Sequence, residues 1–174
     1  VRSLHKLGFN KIIIINAHGQ QPPLQVALQQ VVREMGVFVA IATWWELAKD
    51  TIDKVCETPF HHADECETSV ALALYPELVD MSKAKGDELS PLFSSEISPK
   101  DVIPSGGGFH WWSLAGSRPS SEGTYGAYGH PEKATREKGE AIVNAALDKI
   151  IKLVNELKEK YPVGTKLPLL AKDT

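Results

Sequence analysis

Ile12-Ile13-Ile14-Ile15-Asn16-Ala17-His18-Gly19 is the stretch on which the fold turns. Residues 11–15 form an unbroken run of apolar or strand-compatible positions, the pattern of a strand buried on both faces. Pro22-Pro23 follows and suits the first turn of a helix, where proline's missing N–H costs nothing. Leu24, Ala27, Leu28, Val31, Val32 and Met35 then keep helical spacing, and Gly36 ends the run. Val37–Ala42 reads as a second strand. The order is β-α-β, which predicts two parallel strands joined by a right-handed crossover. His18 stands at the carboxyl end of the first strand, where open α/β sheets bind their ligands.

Beyond Trp44-Trp45 an acidic stretch reads as irregular as far as Pro59. Ala63–Tyr75 reads as a helix with apolar Val70, Leu72, Ala73 and Leu74, closed by Pro76, and residues 78–81 as a short strand. Residues 82–130 are rich in Ser, Pro and Gly, and a loop this long in a compact domain is usually functional or disordered. His110-Trp111-Trp112 in its midst argues against disorder. Glu132–Lys160, with Pro131 in its first turn, reads as one long helix whose apolar face runs from Ile142 to Leu157. The tail after Pro162 reads as a surface strap. No internal repeat is evident, and residues 1–174 suit a single domain.

Composition excludes several function classes. With 19 Lys+Arg against 22 Asp+Glu, the net charge of −3 gives no electrostatic case for nucleic acid or membrane partners. No apolar run approaches a transmembrane span, and no secretory signal precedes the first strand. Cys56 and Cys66 make neither a disulfide framework nor a Cys-x-x-Cys site, and neither has a reactive-looking setting. A reducing cytoplasm is the expected compartment. The chain begins at Val1 rather than Met and meets a strand almost at once, so it is expected to be the C-terminal portion of something longer.

The second informative stretch is Phe60-His61-His62-Ala63-Asp64-Glu65-Cys66-Glu67-Thr68-Ser69. Asp64 followed three residues later by Glu67 has the form of a capping box, and acidic residues in a first helical turn are favoured by the helix dipole. That bland reading explains Asp64, Glu65 and Glu67 but not the His61-His62 pair. A histidine beside a metal-holding carboxylate can pass a proton to a leaving group. His18, as a neutral imidazole, is either a divalent-metal ligand or a loop histidine bonded to backbone. The pairs Trp44-Trp45 and Trp111-Trp112 suit either gripping a small ring or filling a core or subunit interface. Gly106-Gly107-Gly108 lacks the Lys-Ser/Thr of a phosphate loop, and no Gly-x-Ser-x-Gly elbow occurs.

Three segments carry a likeness across nearly the whole chain. They are Gly8-Phe9 leading into Ile12–Gly19; His62–Ser69 with Leu72, Leu74, Pro76, Glu77 and Leu78; and Gly126-Ala127-Tyr128-Gly129-His130-Pro131-Glu132-Lys133-Ala134-Thr135 with Lys138-Gly139-Glu140. Together they resemble the creatininase (creatinine amidohydrolase) family. The resemblance implies a three-layer α/β fold, a mostly parallel central sheet flanked by helices, with the N-terminal part of the fold lacking in this chain. It implies two divalent metal ions (Zn, Mn or Fe), a small cyclic substrate and a homo-oligomer, often a hexamer. His18 matches the metal-binding histidine of an Asn-Gly-His motif. Glu67 matches the acidic position of a His-Ala-Gly-x-x-Glu-Thr motif, as a ligand or bonded just behind one. His62 matches the histidine proposed as proton donor.

Three departures from the family pattern bear on the chemistry. Ala17 stands for the usual glycine, and Gln20-Gln21 for the glycine-asparagine, or in creatininase proper the glutamate, that follows. Asp64 stands for a glycine and could add a carboxylate near the pocket. The family's first Glu, His and bridging Asp ligands fall upstream of Val1. Metal sites usually take three or more protein ligands per ion, so this chain by itself is expected to hold metal poorly.

The activity implied is opening of a small ring by attack of metal-activated hydroxide on a ring carbonyl, with His62 as the acid and Trp45, His110, Trp112 and Asp64 around the ring. A cyclic amide cut at its C–N bond is the leading substrate. The alternative is a carbocyclic diketone from inositol catabolism, of the 3-dehydro-scyllo-inosose type, cut at a C–C bond. Polar His110, Ser113, Ser117 and Arg118 around the second Trp pair lean towards the polyhydroxylated ring. A non-catalytic relative acting as a binding or scaffold protein is the third reading.

Overall fold

The computed structural model describes residues 1–19, 21–87 and 125–165, which fall into two compact units. One comprises residues 1–48 with the chain from 145 onward, the other residues 49–144. In the first, a short helix α1 (Arg2–Lys6), absent from the sequence reading, precedes β1 (Lys11–Asn16). Helix α2 (Gln21–Met35) carries both prolines in its first turn. It ends at Gly36, whose φ of +62° closes the helix while its N–H donates to the Val32 carbonyl at 2.9 Å. Strand β2 (Phe38–Thr43) then pairs parallel with β1, in register from Lys11↔Phe38 to Asn16↔Thr43. The expected β-α-β unit is therefore present, and the chain is α/β.

Burial of β1 on both faces is not met throughout. Ile12 is buried, but Ile15 is 63% exposed, because among the described residues the sheet has only these two strands. The stretch expected to be irregular up to Pro59 holds two helices, α3 (Trp44–Leu47) and α4 (Lys49–Val55). Each buries an apolar side chain, Trp45 and Ile52 respectively. The Lys49–Asp53 pair, 2.8 Å apart at i,i+4 spacing, supports α4 on its polar side.

In the second unit α5 (Glu65–Leu74) follows the predicted span closely. The strand expected at 78–81 is replaced by 3-10 turns at Pro76–Leu78 and Met81–Lys83. Asp80 selects the turn by accepting the Ser82 N–H at 3.1 Å and the Ser82 hydroxyl at 2.6 Å. The long helix begins later than Glu132. Pro131–Lys133 is a separate 3-10 turn, Ala134 is extended, and α6 spans Arg136–Lys160. Thr135 sets that start, for its hydroxyl oxygen accepts the Lys138 N–H at 3.3 Å and its own N–H donates to Ser69 Oγ at 3.1 Å. Gly139 lets the first turns of α6 approach α5, since a Cβ there would run into the Ser69 carbonyl. Among the described residues no helix is long and apolar enough to cross a membrane.

Glu65 ties these pieces of the second unit together. It is fully buried, and its carboxylate accepts the Glu57 N–H at 3.0 Å, the Thr58 N–H at 2.9 Å and the Thr58 hydroxyl at 2.6 Å. Lys138 Nζ completes the set at 2.6 Å. Burial pushes the Glu65 carboxyl up, but Lys138, Thr58 and the Glu57 N–H outweigh it and leave it below the usual carboxylate range. The Glu65 hydrogen bond in turn holds the Lys138 ammonium above its usual value, against burial.

Lys138→Met strands a buried carboxylate and should cost about 3–5 kcal/mol, read as a lower urea midpoint at neutral pH. The stabilisation is fully present between the unfolded-state values of about 4.3 for Glu and about 10.4 for Lys. It is lost as pH falls through the depressed Glu65 value and as pH rises through the raised Lys138 value. The stability gap between wild type and variant should therefore narrow at both extremes.

Candidate active site

The segment that starts α5 is held by side chains on every side. Asp64 is the N-cap: its Oδ1 accepts the Glu67 N–H at 2.9 Å and its Oδ2 the His61 N–H at 2.6 Å. Glu67 reaches back as a capping box requires, but its Oε2 takes the Ala63 N–H at 2.6 Å, one residue before the cap. Ala63 lies in the left-handed region with φ +47°, a conformation that costs a residue with a Cβ about 1–2 kcal/mol. His62 precedes that strained residue. Its side chain is 57% exposed, with Nδ1 4.0 Å from Glu67 Oε2.

A second strand of chain fixes the main chain of His62. Its N–H donates to the Tyr128 carbonyl at 3.2 Å and its carbonyl accepts the Tyr128 N–H at 2.7 Å, an antiparallel bridge. The two rings lie 5.9 Å apart. Gly129, at φ +131°, lets this segment press on the cap, since a Cβ there would sit 2.7 Å from Asp64 Cβ. Asp87 holds the same segment by accepting the Tyr125 and Gly126 N–H groups at 2.7 and 3.1 Å, while its own N–H donates to the Ala127 carbonyl at 2.7 Å.

His18 belongs to the first unit and is exposed at the end of β1. Buried Asn16 shapes that turn: its amide nitrogen donates to Thr43 Oγ1 and its oxygen accepts the His18 N–H, both at 3.4 Å. His18 and Glu67 offer imidazole nitrogen and carboxylate oxygen, donors of the kind divalent ions take. Among the described residues no three His, Cys, Asp or Glu side chains gather as a shell.

Two of the side chains expected around the substrate have other settings. Both oxygens of Asp64 are taken by backbone amides and the residue is 1% exposed, so it shapes the loop instead of presenting a carboxylate to a pocket. Trp45 is 6% exposed and meets Trp44 edge-on at 5.6 Å, a packing arrangement within the first unit. His110 and Trp112, with Trp111, Ser113, Ser117, Arg118 and the triple glycine, lie outside the described residues.

Sequence reasoning missed the hub at Glu65 and the mutual influence of the two thiols. Cys66 draws the Cys56 thiol below its usual range, while Cys56 and burial push Cys66 up.

These features define an α/β chain with a histidine closing its first strand and a histidine–carboxylate pair opening a later helix. The chain belongs to the creatininase family, whose description, creatinine amidohydrolase, matches residues 1–154. It is 31% identical to a 3-dehydro-scyllo-inosose hydrolase of Thermotoga maritima, over 92% of this chain and 54% of that protein. To a creatinine amidohydrolase of Pseudomonas putida it is 25% identical, over 93% of this chain and 60% of that protein. A Bacteroides fragilis structure described as a candidate creatinine amidohydrolase superposes with a TM-score of 0.72 at 28% identity, covering 90% of this chain and 57% of that one. A Zn–Zn creatininase variant and a Mn creatininase share the fold, each with a TM-score of 0.58 at 23% identity over 92% of this chain and 60% of theirs. The chain thus spans little more than half the length of the curated relatives it matches.

Because Ala63 pays for its left-handed backbone with a Cβ, Ala63→Gly should raise stability by roughly 1 kcal/mol. A urea titration checks this, and an unchanged or lower midpoint would mean the turn is not strained as described.

Proposed function

We propose that the protein is a divalent-metal-dependent hydrolase that opens a small ring, with a polyhydroxylated carbocyclic ketone as the favoured substrate class. The observation that carries this reading is the exposed His62 imidazole, 4.0 Å from the Glu67 carboxylate, on a main chain bridged in both directions to Tyr128. An acid that must meet a leaving group needs a ring that reaches solvent and a backbone that does not wander. With Nδ1 on the Glu67 side, Nε2 is the nitrogen that meets the substrate and delivers the proton to the departing atom.

His18 and Glu67 are the residues assigned to hold the metal. When bound, divalent ions polarise a carbonyl oxygen and bring the pKa of water towards neutrality. Glu67 has one oxygen engaged by the Ala63 N–H at 2.6 Å, which fixes the direction of the carboxylate before any ion arrives. Asn16 does the equivalent for the turn of His18. The ketone is preferred to the cyclic amide on the higher identity to the inosose hydrolase, 31% against 25%. Assaying both substrates on one preparation separates these classes. A homo-oligomer belongs to the same reading.

Two measurements on the native-length protein test the proposal. Mass spectrometric metal content should show divalent ions that are reduced in His18→Ala and in Glu67→Ala. A protein that binds none after reconstitution with zinc, manganese or iron would be a family fold serving as a binding or scaffold protein. His62→Ala should keep its metal and lose roughly 10²–10⁴-fold in kcat, the usual worth of a positioned acid. Loss of metal in that variant would make His62 a ligand instead.

A further inference from the structure

We propose that Tyr128 is a positioning residue, whose ring sets the direction of the His62 imidazole while its backbone holds the His62 main chain. The inference rests on the reading of His62 as the proton donor. The two residues form an antiparallel bridge in which each donates its N–H to the other's carbonyl, at 3.2 and 2.7 Å. Residues directly opposite in such a pair project their side chains from the same face. The imidazole and the phenol ring accordingly lie with centroids 5.9 Å apart and planes tilted by 39°. That separation is within the range at which aromatic rings interact.

The imidazole needs such a neighbour. Its side chain is 57% exposed, and its Nδ1 stands 4.0 Å from Glu67 Oε2, too far for a hydrogen bond. That oxygen already accepts the Ala63 N–H at 2.6 Å. Glu67 therefore attracts a protonated imidazole without fixing the angle of its plane. A flat ring alongside does fix that angle, because turning the imidazole about the Cα–Cβ or Cβ–Cγ bond gives up the ring contact.

Tyr128 can do this because its own main chain is clamped. Besides the bridge to His62 it makes a parallel one with Asp87. The Asp87 N–H donates to the Ala127 carbonyl at 2.7 Å, and its carboxylate accepts the Tyr125 and Gly126 N–H groups. Ala127 is buried, and the next residue on, Gly129, packs its carbonyl against Gly86, where a Cβ would collide with it. The phenol ring thus starts from a fixed origin and stands beside an imidazole that lacks a firm partner of its own. Small errors in that pose matter, since misplacing a reacting group by about 1 Å can cost about 10²-fold in rate.

The test uses the native-length protein and a double-mutant cycle. Tyr128→Ala should lower kcat roughly 10- to 10²-fold with KM and metal content unchanged. Tyr128→Phe keeps the ring and should restore the wild-type rate. In the His62→Ala background, Tyr128→Ala should cost nothing further, because there is no imidazole left to orient. An equal loss in both backgrounds, a raised KM with kcat intact, or a Phe variant as slow as the Ala variant would each overturn the proposal. If Tyr128→Ala fails to fold, Tyr128→Leu, which fills space without a flat ring, takes its place with the same expectations. A second arm does not depend on turnover. Crystal structures of wild type and Tyr128→Phe should show one His62 pose, and Tyr128→Ala a displaced or spread imidazole; an unmoved imidazole there would overturn the proposal. Wild type that opens neither ring class would count against the hydrolase reading, and the crystal structures would still decide the role of Tyr128.

Discussion

A fully buried carboxylate must have its lone pairs answered, because water cannot reach them and the desolvation of an unpaired charge costs several kcal/mol. Glu65 meets this demand with donors drawn from two places in the chain: the loop at Glu57 and Thr58, which gives two N–H groups and the Thr58 hydroxyl, and Lys138 near the start of α6. Replacing such a pair with apolar groups of similar volume often preserves stability. What hydrogen bonds add is direction. Each donor has one position from which it can reach Glu65, so the loop after α4, the first turn of α5 and the start of α6 are set against a single atom pair. Ser69 and Gly139 continue the same contact one turn further on, where only a residue without a Cβ fits.

The segment from His61 to Glu67 inherits its shape from that arrangement. Asp64 and Glu67 each take an amide from the residues just before the helix, so two acidic side chains hold the His62 turn from below. Tyr128 holds it from the side through two main-chain bonds, and Asp87 holds the neighbours of Tyr128. The left-handed Ala63 is the local cost of this geometry. It leaves an imidazole that is exposed although its backbone is fastened on both strands, which is a useful condition for a group that must meet a substrate repeatedly in one orientation.

The β-α-β start and the helix from Glu65 were legible because their signals are local. Apolar runs and helical spacing report which face is buried, Pro22-Pro23 and Gly36 punctuate α2, and Asp64 with Glu67 announces the start of α5. The family likeness was legible for the same reason, since its motifs are short and lie at the ends of those elements. Local signals failed where competing partners were distant. Thr135 displaced Pro131 as the start of α6 because Ser69, far away in sequence, receives its N–H. At residues 78–81 a near partner won instead: Asp80 accepts the Ser82 N–H and hydroxyl and bends the chain into a turn.

By itself, then, the sequence determined the α/β class, the order of the first strands and helix, the family, and the positions of His18, His62 and Glu67 at the ends of elements. Only the tertiary structure decided what neighbouring acids do. Asp64, Glu65 and Glu67 look alike in one acidic turn, yet one caps the helix, one is buried against Lys138, and one remains partly open beside His62. It likewise decided that Trp45 is interior. The physical reason is that burial and pairing depend on groups brought close by the fold, and a side chain's chemistry follows from what surrounds it, which spacing along the chain does not encode.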